Sequence, residues 1–210
     1  MTKTRIQFAK EGALRFIGHL DFLRVFGQML RRTGLPLAYS QGFNPHIQLG
    51  FALPLPLGMA SINDYADLTF AQPIDLIKAA AQMQAHAPQG LTVRRIWEQE
   101  GRAAAAITTA ADYVFTGTIT TDLLSKPKYI IAKKTKSGIK DTDIRPDIFA
   151  IYNEGTQITM KLAAGSGRFL NPLTVAQIIT GREVTAGEVK RLELYEQVGE
   201  GFAALGGGRG

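Results

Sequence analysis

The stretch Thr4-Arg-Ile-Gln-Phe-Ala-Lys10, followed by His19-Leu-Asp-Phe-Leu-Arg-Val-Phe-Gly-Gln-Met-Leu-Arg-Arg-Thr33, decides the fold class. In the first segment Ile6 and Phe8 alternate with polar residues, which predicts a strand with one buried face. In the second segment apolar residues recur at helical spacing, and Gly34 follows as a helix-ending signal. A strand followed by an amphipathic helix indicates an α+β protein.

The rest of the first half continues with the same two kinds of element. Strand patterns cover residues 47–53, 65–70 and 91–97, and an Ala-rich segment predicts a helix over 75–86 that is capped near Asp75. The predicted order, β-α-β-β-α-β, is that of the ferredoxin-like motif.

The second half repeats this order loosely. Strands are predicted over 113–119, 129–135, 148–152, 157–162 and 189–195, with a helical turn over 121–125 and an extra excursion over 136–146. Asn171-Pro172 predicts the start of a helix that Gly181 ends. We therefore predict two tandem ferredoxin-like (βαββαβ) modules packed into one compact protein. Residues 1–100 form the first module, 101–112 a linker, 113–200 the second module and 201–210 a Gly-rich flexible tail.

Composition excludes several classes of chemistry. The chain has no cysteine, which excludes disulfides, thiolate nucleophiles and the thiolate ligands of iron–sulfur clusters. A net charge of +6 favours anionic partners such as nucleic acid. No apolar run approaches the ~20 residues that span a bilayer, and no signal-peptide core follows Met1, so we expect a cytoplasmic protein without a membrane partner.

The segment Tyr39-Ser-Gln-Gly-Phe-Asn-Pro-His46 predicts a loop. Tyr39 and Phe43 are suited to stacking on RNA bases, while Gln41, Asn44 and His46 are suited to contacting base edges or phosphates. The alternative interpretation is structural, with both aromatic residues anchoring an ordered loop into the core.

His19 and Asp21 stand at the head of the predicted helix, with Arg15 and Arg24 nearby. This set suggests a general base with anion-binding charges, as RNA cleavage would require. Alternatively, His19 or Asp21 caps the helix and Arg24 pairs with a surface carboxylate. His19 and His46 are too far apart in sequence for a short metal motif, and neither a metal nor a cofactor is predicted.

A stretch free of acidic residues surrounds the strand predicted over 129–135. Its basic residues are Lys126, Lys128, Lys133, Lys134, Lys136 and Lys140. Such a ridge is suited to tracking a phosphate backbone. An edge strand also uses lysines to prevent pairing with another chain, and this alternative stays open.

Five strings resemble those of the radical SAM-linked protein family (DUF2344). They are Arg15-Phe-Ile-Gly-His-Leu-Asp21, the loop from Tyr39 to His46, Leu55-Pro-Leu-Gly58, Asp143-Ile-Arg-Pro146 and Arg191-Leu-Glu-Leu-Tyr195. The resemblance implies a module fused to, or encoded beside, a radical S-adenosylmethionine (SAM) protein, often near genes for ribosomes or RNA processing. It implies a radical SAM protein as partner and supplies no catalytic residues.

Three functions are consistent with these observations. The first is a non-catalytic RNA-binding or partner module that works with a separate radical SAM protein on tRNA or ribosomal RNA. The second is a metal-independent RNA endonuclease or RNA-modifying enzyme that uses His19 as its base. The third is a protein-interaction scaffold in which the lysine-rich stretch only aids solubility.

Overall fold

The strands outnumber the helices in this structure, a computed structural model that describes residues 1–135 and 138–207. The α-helices are α1 (His19–Arg32), α2 (Leu76–His86), α3 (Ala104–Ile107) and α4 (Pro172–Thr180). The strands of the first half are β1 (Thr2–Lys10), β2 (Leu49–Phe51), β3 (Ala60–Phe70) and β4 (Leu91–Glu98). Those of the second half are β5 (Thr108–Thr116), β6 (Ile130–Thr135), β7 (Gly138–Asp143), β8 (Ile148–Glu154), β9 (Gln157–Ala163), β10 (Lys190–Val198) and β11 (Gly201–Ala204).

Nine of these strands form one mixed sheet. Its central order is β4-β1-β3-β10-β5-β9-β8, with β2 paired to β3 and β11 paired to β10. The two halves of the chain meet where β3 and β10 run parallel, with Ala60 opposite Lys190 and Ser61 opposite Arg191. The remaining strands, β6 and β7, form a separate antiparallel ribbon.

The prediction of two tandem ferredoxin-like modules is wrong. The first half has the predicted element order, but its strands continue into the second half through β3 and β10 instead of forming their own sheet. In the described part of the second half no α-helix lies between β5 and β9, so the repeated β-α-β unit is missing there. A short parallel contact between distant strands leaves no local sequence pattern, which is why the prediction missed it.

Local signals place the helices that pack on the sheet. The Asp75 side chain accepts hydrogen bonds from Ile77 N and Lys78 N at the start of α2, and Asn171 caps α4 by accepting from Leu173 N. Gly181 ends α4 in the left-handed conformation, with φ +66°. These three predicted helix signals are confirmed.

Two apolar clusters hold the helices to the sheet. The first contains Phe22 and Phe26 of α1 packed on Phe8 and on residues of β3 and β4. The second is larger, contains Val175 and Ile179 of α4, and includes residues of β3, β5, β9 and β10. The second cluster therefore draws side chains from both halves of the chain.

The predicted linker and tail contain regular structure. Residues 101–112 include α3 and the start of β5, and residues 201–210 include β11. Residues 208–210 lie outside the described part of the chain. Among the described residues, none of the helices combines the length and the hydropathy that a membrane-spanning segment needs.

Candidate functional site

An open cleft of about 320 Å³ lies between the outer face of α1 and the segment that leads into β2. It is lined by Leu23, Arg24, Gly27, Gln28, Arg31, His46, Ile47 and Leu49. The helical period creates this face, because Phe22, Phe26, Met29 and Leu30 of the same helix turn inward and are buried. The lining is therefore apolar at its base and polar at its rim.

Gly27 makes room for the floor of the cleft. A Cβ atom placed on Gly27 would lie 3.7 Å from Ile47 Cδ1 and 3.8 Å from an Arg31 guanidinium nitrogen. Any longer side chain at this position would fill the space between the helix and Ile47. The glycine thus keeps the cleft open without a special backbone conformation.

The rim of the cleft is basic. Arg24 Nη1 donates to Asp21 Oδ1 at 2.8 Å, an exposed pair one helical turn apart. The side chains of Gln28, Arg31 and His46 make no hydrogen bond or ion pair with any residue in the described part of the chain. No acidic residue among those that the structure describes lines the cleft. These polar groups are therefore available to a ligand, and the charge they offer is positive.

The loop from Tyr39 to His46 lies beside this cleft, and hydrogen bonds between its two ends close it. Tyr39 and Ile47 form an antiparallel bridge, Ser40 N donates to His46 O at 2.8 Å, and His46 N donates to Ser40 Oγ at 3.0 Å. Gln48 Nε2 also donates to Tyr39 O at 3.1 Å. The base of the loop is fixed, and its tip projects from the surface.

The tip presents the predicted base-stacking residue to solvent. Phe43 is fully exposed, Tyr39 is partly exposed, and Gln41 and Asn44 are exposed. The interpretation of Phe43 as an anchor in the core is therefore wrong. A fully exposed phenylalanine beside a basic cleft is a feature that a ligand would cover.

His19 and Asp21 do not meet. The His19 ring lies edge-on to Phe51, with centroids 5.7 Å apart, whereas the Asp21 carboxylate is exposed and holds Arg24. No hydrogen bond joins His19 to Asp21 in the described part of the chain. The capping alternative is also wrong, since the N-cap of α1 is Gly18 without a side-chain cap. Arg24 does pair with a surface carboxylate, as that alternative expected.

Arg15 lies away from the cleft and joins the two halves. Its Nη1 donates to Gly187 O at 3.4 Å, and its backbone carbonyl accepts from Gly58 N at 2.8 Å. Arg15 Cζ also lies 4.7 Å from the centroid of the Phe16 ring. The structure thus gives this predicted RNA-binding arginine a set of intramolecular contacts.

The lysine-rich stretch begins in the segment before β6 and continues into the ribbon of β6 and β7. Lys126, Lys128 and Lys133 are exposed, and Lys133 stands directly opposite Lys140. Like charges in opposite positions are unfavourable, so Lys133 and Lys140 do not favour the pairing of β6 with β7 at this position. Of the other predicted residues, Lys134 lies in β6 but its side chain is outside the described part, and Lys136 is outside it altogether.

A comparison of the chain with protein families adds one result. Residues 3–172 match the model of a family described as "uncharacterized protein conserved in bacteria" (DUF2344). The chain belongs to this family. No curated protein gives a significant sequence match.

The DUF2344 match spans the whole cleft and the loop from Tyr39 to His46. It ends at the start of α4, so β10 and Arg191 lie beyond it. No group of three His, Asp or Glu side chains suited to a metal ion occurs within residues 1–135 and 138–207.

Sequence reasoning missed a buried charged cluster at the junction of β3 and β10. Arg191 and Asp64 are 0% and 4% exposed, and Arg191 Nη2 lies 2.7 Å from both oxygens of the Asp64 carboxylate. The same guanidinium donates to the carbonyl oxygens of Leu53 and Pro54, and Ser61 Oγ donates to Asp64 Oδ2 at 3.0 Å. The pair thus ties the Leu53-Pro54 connection to the sheet.

Lys10 adds a second buried cation to this cluster. It is 2% exposed, its Nζ donates to Ile17 O at 3.1 Å, and it lies 4.6 Å from the centroid of the Phe22 ring. Burial lowers the pKa of Lys10, Asp64 opposes that shift, and Arg191 reinforces it. Lys10, His19 and Asp64 border a cavity of about 10 Å³, which has room for about one water molecule. Residues 6, 8 and 10 lie on the same face of a strand, so the period of β1 places Lys10 beside the buried Ile6 and Phe8, although its charge is typical of a solvent-facing strand end.

Proposed function

We infer that this protein is a non-catalytic module that binds single-stranded RNA through the α1 cleft and the loop from Tyr39 to His46. One observation carries the proposal. Within residues 1–135 and 138–207, no acidic residue lines the cleft and Arg31 on its rim has no partner, while the adjacent loop holds a fully exposed aromatic residue, Phe43.

Arg31 and Phe43 match the two parts of a single RNA strand, its phosphates and its bases. Arginine side chains bind the phosphates, and their positive charge makes affinity depend on salt. An exposed aromatic ring stacks on an unpaired base, which contributes roughly 1–3 kcal/mol per base with little regard to sequence. Because the bases of a duplex are stacked on one another, Phe43 favours single-stranded loops or ends of a structured RNA.

The partner in this proposal is a separate radical SAM protein, and the RNA is tRNA or ribosomal RNA under modification or processing. Support comes from the family resemblance and from the composition. The chain has no cysteine, so an iron–sulfur cluster that starts radical chemistry would have to be held by another protein. The role left to this chain is to hold RNA in position.

RNA binding is tested by fluorescence polarisation with a labelled single-stranded oligoribonucleotide at low salt. Arg31→Gln is expected to weaken binding about tenfold, as the loss of one charge-assisted contact would. Arg32→Gln is the matched control, because Arg32 is the next residue of α1, carries the same charge and donates to His86 O at 3.1 Å instead of lining the cleft. Equal losses in both variants would show that only net charge matters, and the absence of any binding would refute RNA recognition.

The partnership needs its own experiment. The tagged protein is expected to co-purify with an iron–sulfur protein of the radical SAM type from its native cells, before and after ribonuclease treatment if the contact is direct. Loss of the partner after ribonuclease would mean that RNA bridges the two proteins. Failure to capture such a protein in both conditions would refute the proposed partnership. RNA binding would be unaffected, because the polarisation experiment tests it independently.

A further inference from the structure

The floor of the α1 cleft is not suited to binding phosphates. Leu23, Ile47 and Leu49 form an apolar floor under the rim of Arg24, Gln28, Arg31 and His46. Phosphate needs charge and hydrogen-bond donors, which the rim supplies, whereas an apolar floor is suited to the flat face of an aromatic group. The cleft therefore offers two chemically different layers.

The size of the cleft fits one nucleotide. Its volume of about 320 Å³ stands at the small end of ligand pockets, which span roughly 300–1,000 Å³. A duplex would not enter such a space, and a row of stacked bases would lie across its mouth without reaching the floor. One base turned out of the strand would reach it.

We propose that the cleft takes a single unstacked base of the bound RNA, with the base on the floor beside Gly27 and its phosphate at Arg31. This proposal rests on the RNA-binding function inferred above and names the part of the RNA that the cleft recognises. The Gln28 amide and the His46 ring stand at the rim without partners in the described part of the chain and face the edge of that base. Phe43 stacks on a neighbouring base outside the cleft.

Gly27 provides the means to test the base site without removing a charge. An alanine methyl group would stand at ordinary contact distance from Ile47 and Arg31, and alanine favours the helix more than glycine does. Gly27→Met places a longer, flexible apolar side chain into the space that the base would occupy. Neither substitution alters the charge of the rim.

The experiment compares two ligands of equal length. One is an oligouridylate, and the other is the same ribose–phosphate chain without bases. Gly27→Met is expected to weaken oligouridylate binding about tenfold, the size of effect that stacking of one base provides, and to leave binding of the base-free chain unchanged. Arg31→Gln is expected to weaken both. Thermal unfolding of Gly27→Ala and Gly27→Met checks that each variant is folded.

A second measurement keeps the proposal testable if Gly27→Met is unstable. Wild-type protein is irradiated with an oligonucleotide that carries 4-thiouridine, and trypsin releases residues 25–31 of α1 as one peptide because it cleaves after Arg24 and Arg31. Adducts on this peptide are expected. The tryptic peptide that contains Phe43 also contains His46, Ile47 and Leu49 of the cleft, so its adducts are assigned to single residues by fragmentation. Adducts confined to Phe43, or full oligouridylate affinity in a folded Gly27→Met, would overturn the base site while RNA binding stands. If neither ligand binds the wild type, the proposed function itself fails.

Discussion

Asp64 is a single residue on which we expect much of the stability of this fold to depend. Among the described residues, its carboxylate is the only acidic group that is hydrogen-bonded to the buried Arg191, and the Lys10 amine is also buried nearby. Within the described residues the cluster therefore has two cations and one anion. Removing one member of such a buried pair destabilises a protein far more than removing one member of a surface pair, because the remaining buried charge loses its counterion.

We expect Asp64→Asn to lower the free energy of unfolding by about 3–5 kcal/mol. Asp21→Asn is the control, since it breaks the exposed pair with Arg24 and should cost less than about 1 kcal/mol. Urea denaturation of both variants measures the difference. A loss below about 1 kcal/mol for Asp64→Asn would mean that the cluster does not hold the junction of β3 and β10.

Lys10 gives the same cluster a dependence on pH. Because burial lowers the pKa of Lys10 in the folded state, the unfolded chain binds this proton more tightly. The free energy of unfolding then rises with pH between the lowered pKa and the ordinary value of 10.5. The charged amine destabilises the folded chain below this window, and the penalty disappears above it.

The matched variant is Lys10→Met, which keeps the length of the side chain and cannot titrate. We expect the wild type to gain stability relative to Lys10→Met as pH rises from neutral towards 10.5. Urea denaturation of both proteins is measured across this range. The difference between their free energies of unfolding excludes the contributions of tyrosines and other lysines, which the two proteins share. A constant difference, or one that moves in the opposite direction, would show that the Lys10 amine is not penalised by burial.

The proposed RNA binding has two candidate surfaces, both of them basic. The cleft belongs to α1, whereas the exposed lysines belong to the ribbon of β6 and β7 and to the segment before it. The ribbon also carries Asp141 and Asp143 on β7. No acidic residue in the described part of the chain lines the cleft, although Asp21 pairs with Arg24 of its rim. We therefore expect the phosphates of a bound RNA to lie along α1.

This choice is measurable through the salt dependence of RNA binding. Each phosphate contact to a single strand contributes about 0.7 to the slope of log affinity against log salt concentration. Arg24→Gln combined with Arg31→Gln is expected to reduce the slope, and Lys126→Gln combined with Lys128→Gln, which removes the same charge, is expected to leave it unchanged. The reverse result would move the RNA from α1 to the ribbon.

Elements with strong local signals could be predicted from the sequence, and long-range pairings could not. The caps at Asp75 and Asn171 and the helix end at Gly181 follow from side-chain and backbone chemistry within a few residues. The pairing of β3 with β10 involves residues about 130 positions apart, and no local pattern encodes it. The same distinction applies to the candidate site. The exposed loop can be predicted from its local composition. The roles of Arg31 and Gly27 cannot, because they depend on Ile47, which only the fold places opposite them.

For the whole molecule, the junction of β3 and β10 implies that the halves depend on each other. Tyr65 is fully buried, and its hydroxyl donates to Glu193 Oε1 at 2.6 Å. Asn63 Nδ2 donates to Leu192 O at 3.1 Å. Without the second half, β3 would expose an unpaired edge and the buried face of Tyr65, and Asp64 would lose Arg191.

We therefore expect a fragment of residues 1–100 to lack a cooperative unfolding transition when expressed alone. The single tryptophan, Trp97, lies in this fragment and packs edge-on against Tyr65, with centroids 6.2 Å apart, so its fluorescence reports on the first half. In the full chain, fluorescence and far-ultraviolet circular dichroism should give coincident urea transitions, because one sheet runs through both halves and the larger apolar cluster draws side chains from each. Co-expression of 1–100 with 101–210 is the control and should restore the transition by pairing β3 with β10. A fragment that unfolds cooperatively by itself would show instead that the first half is an independent domain and that the shared sheet joins two units able to fold separately.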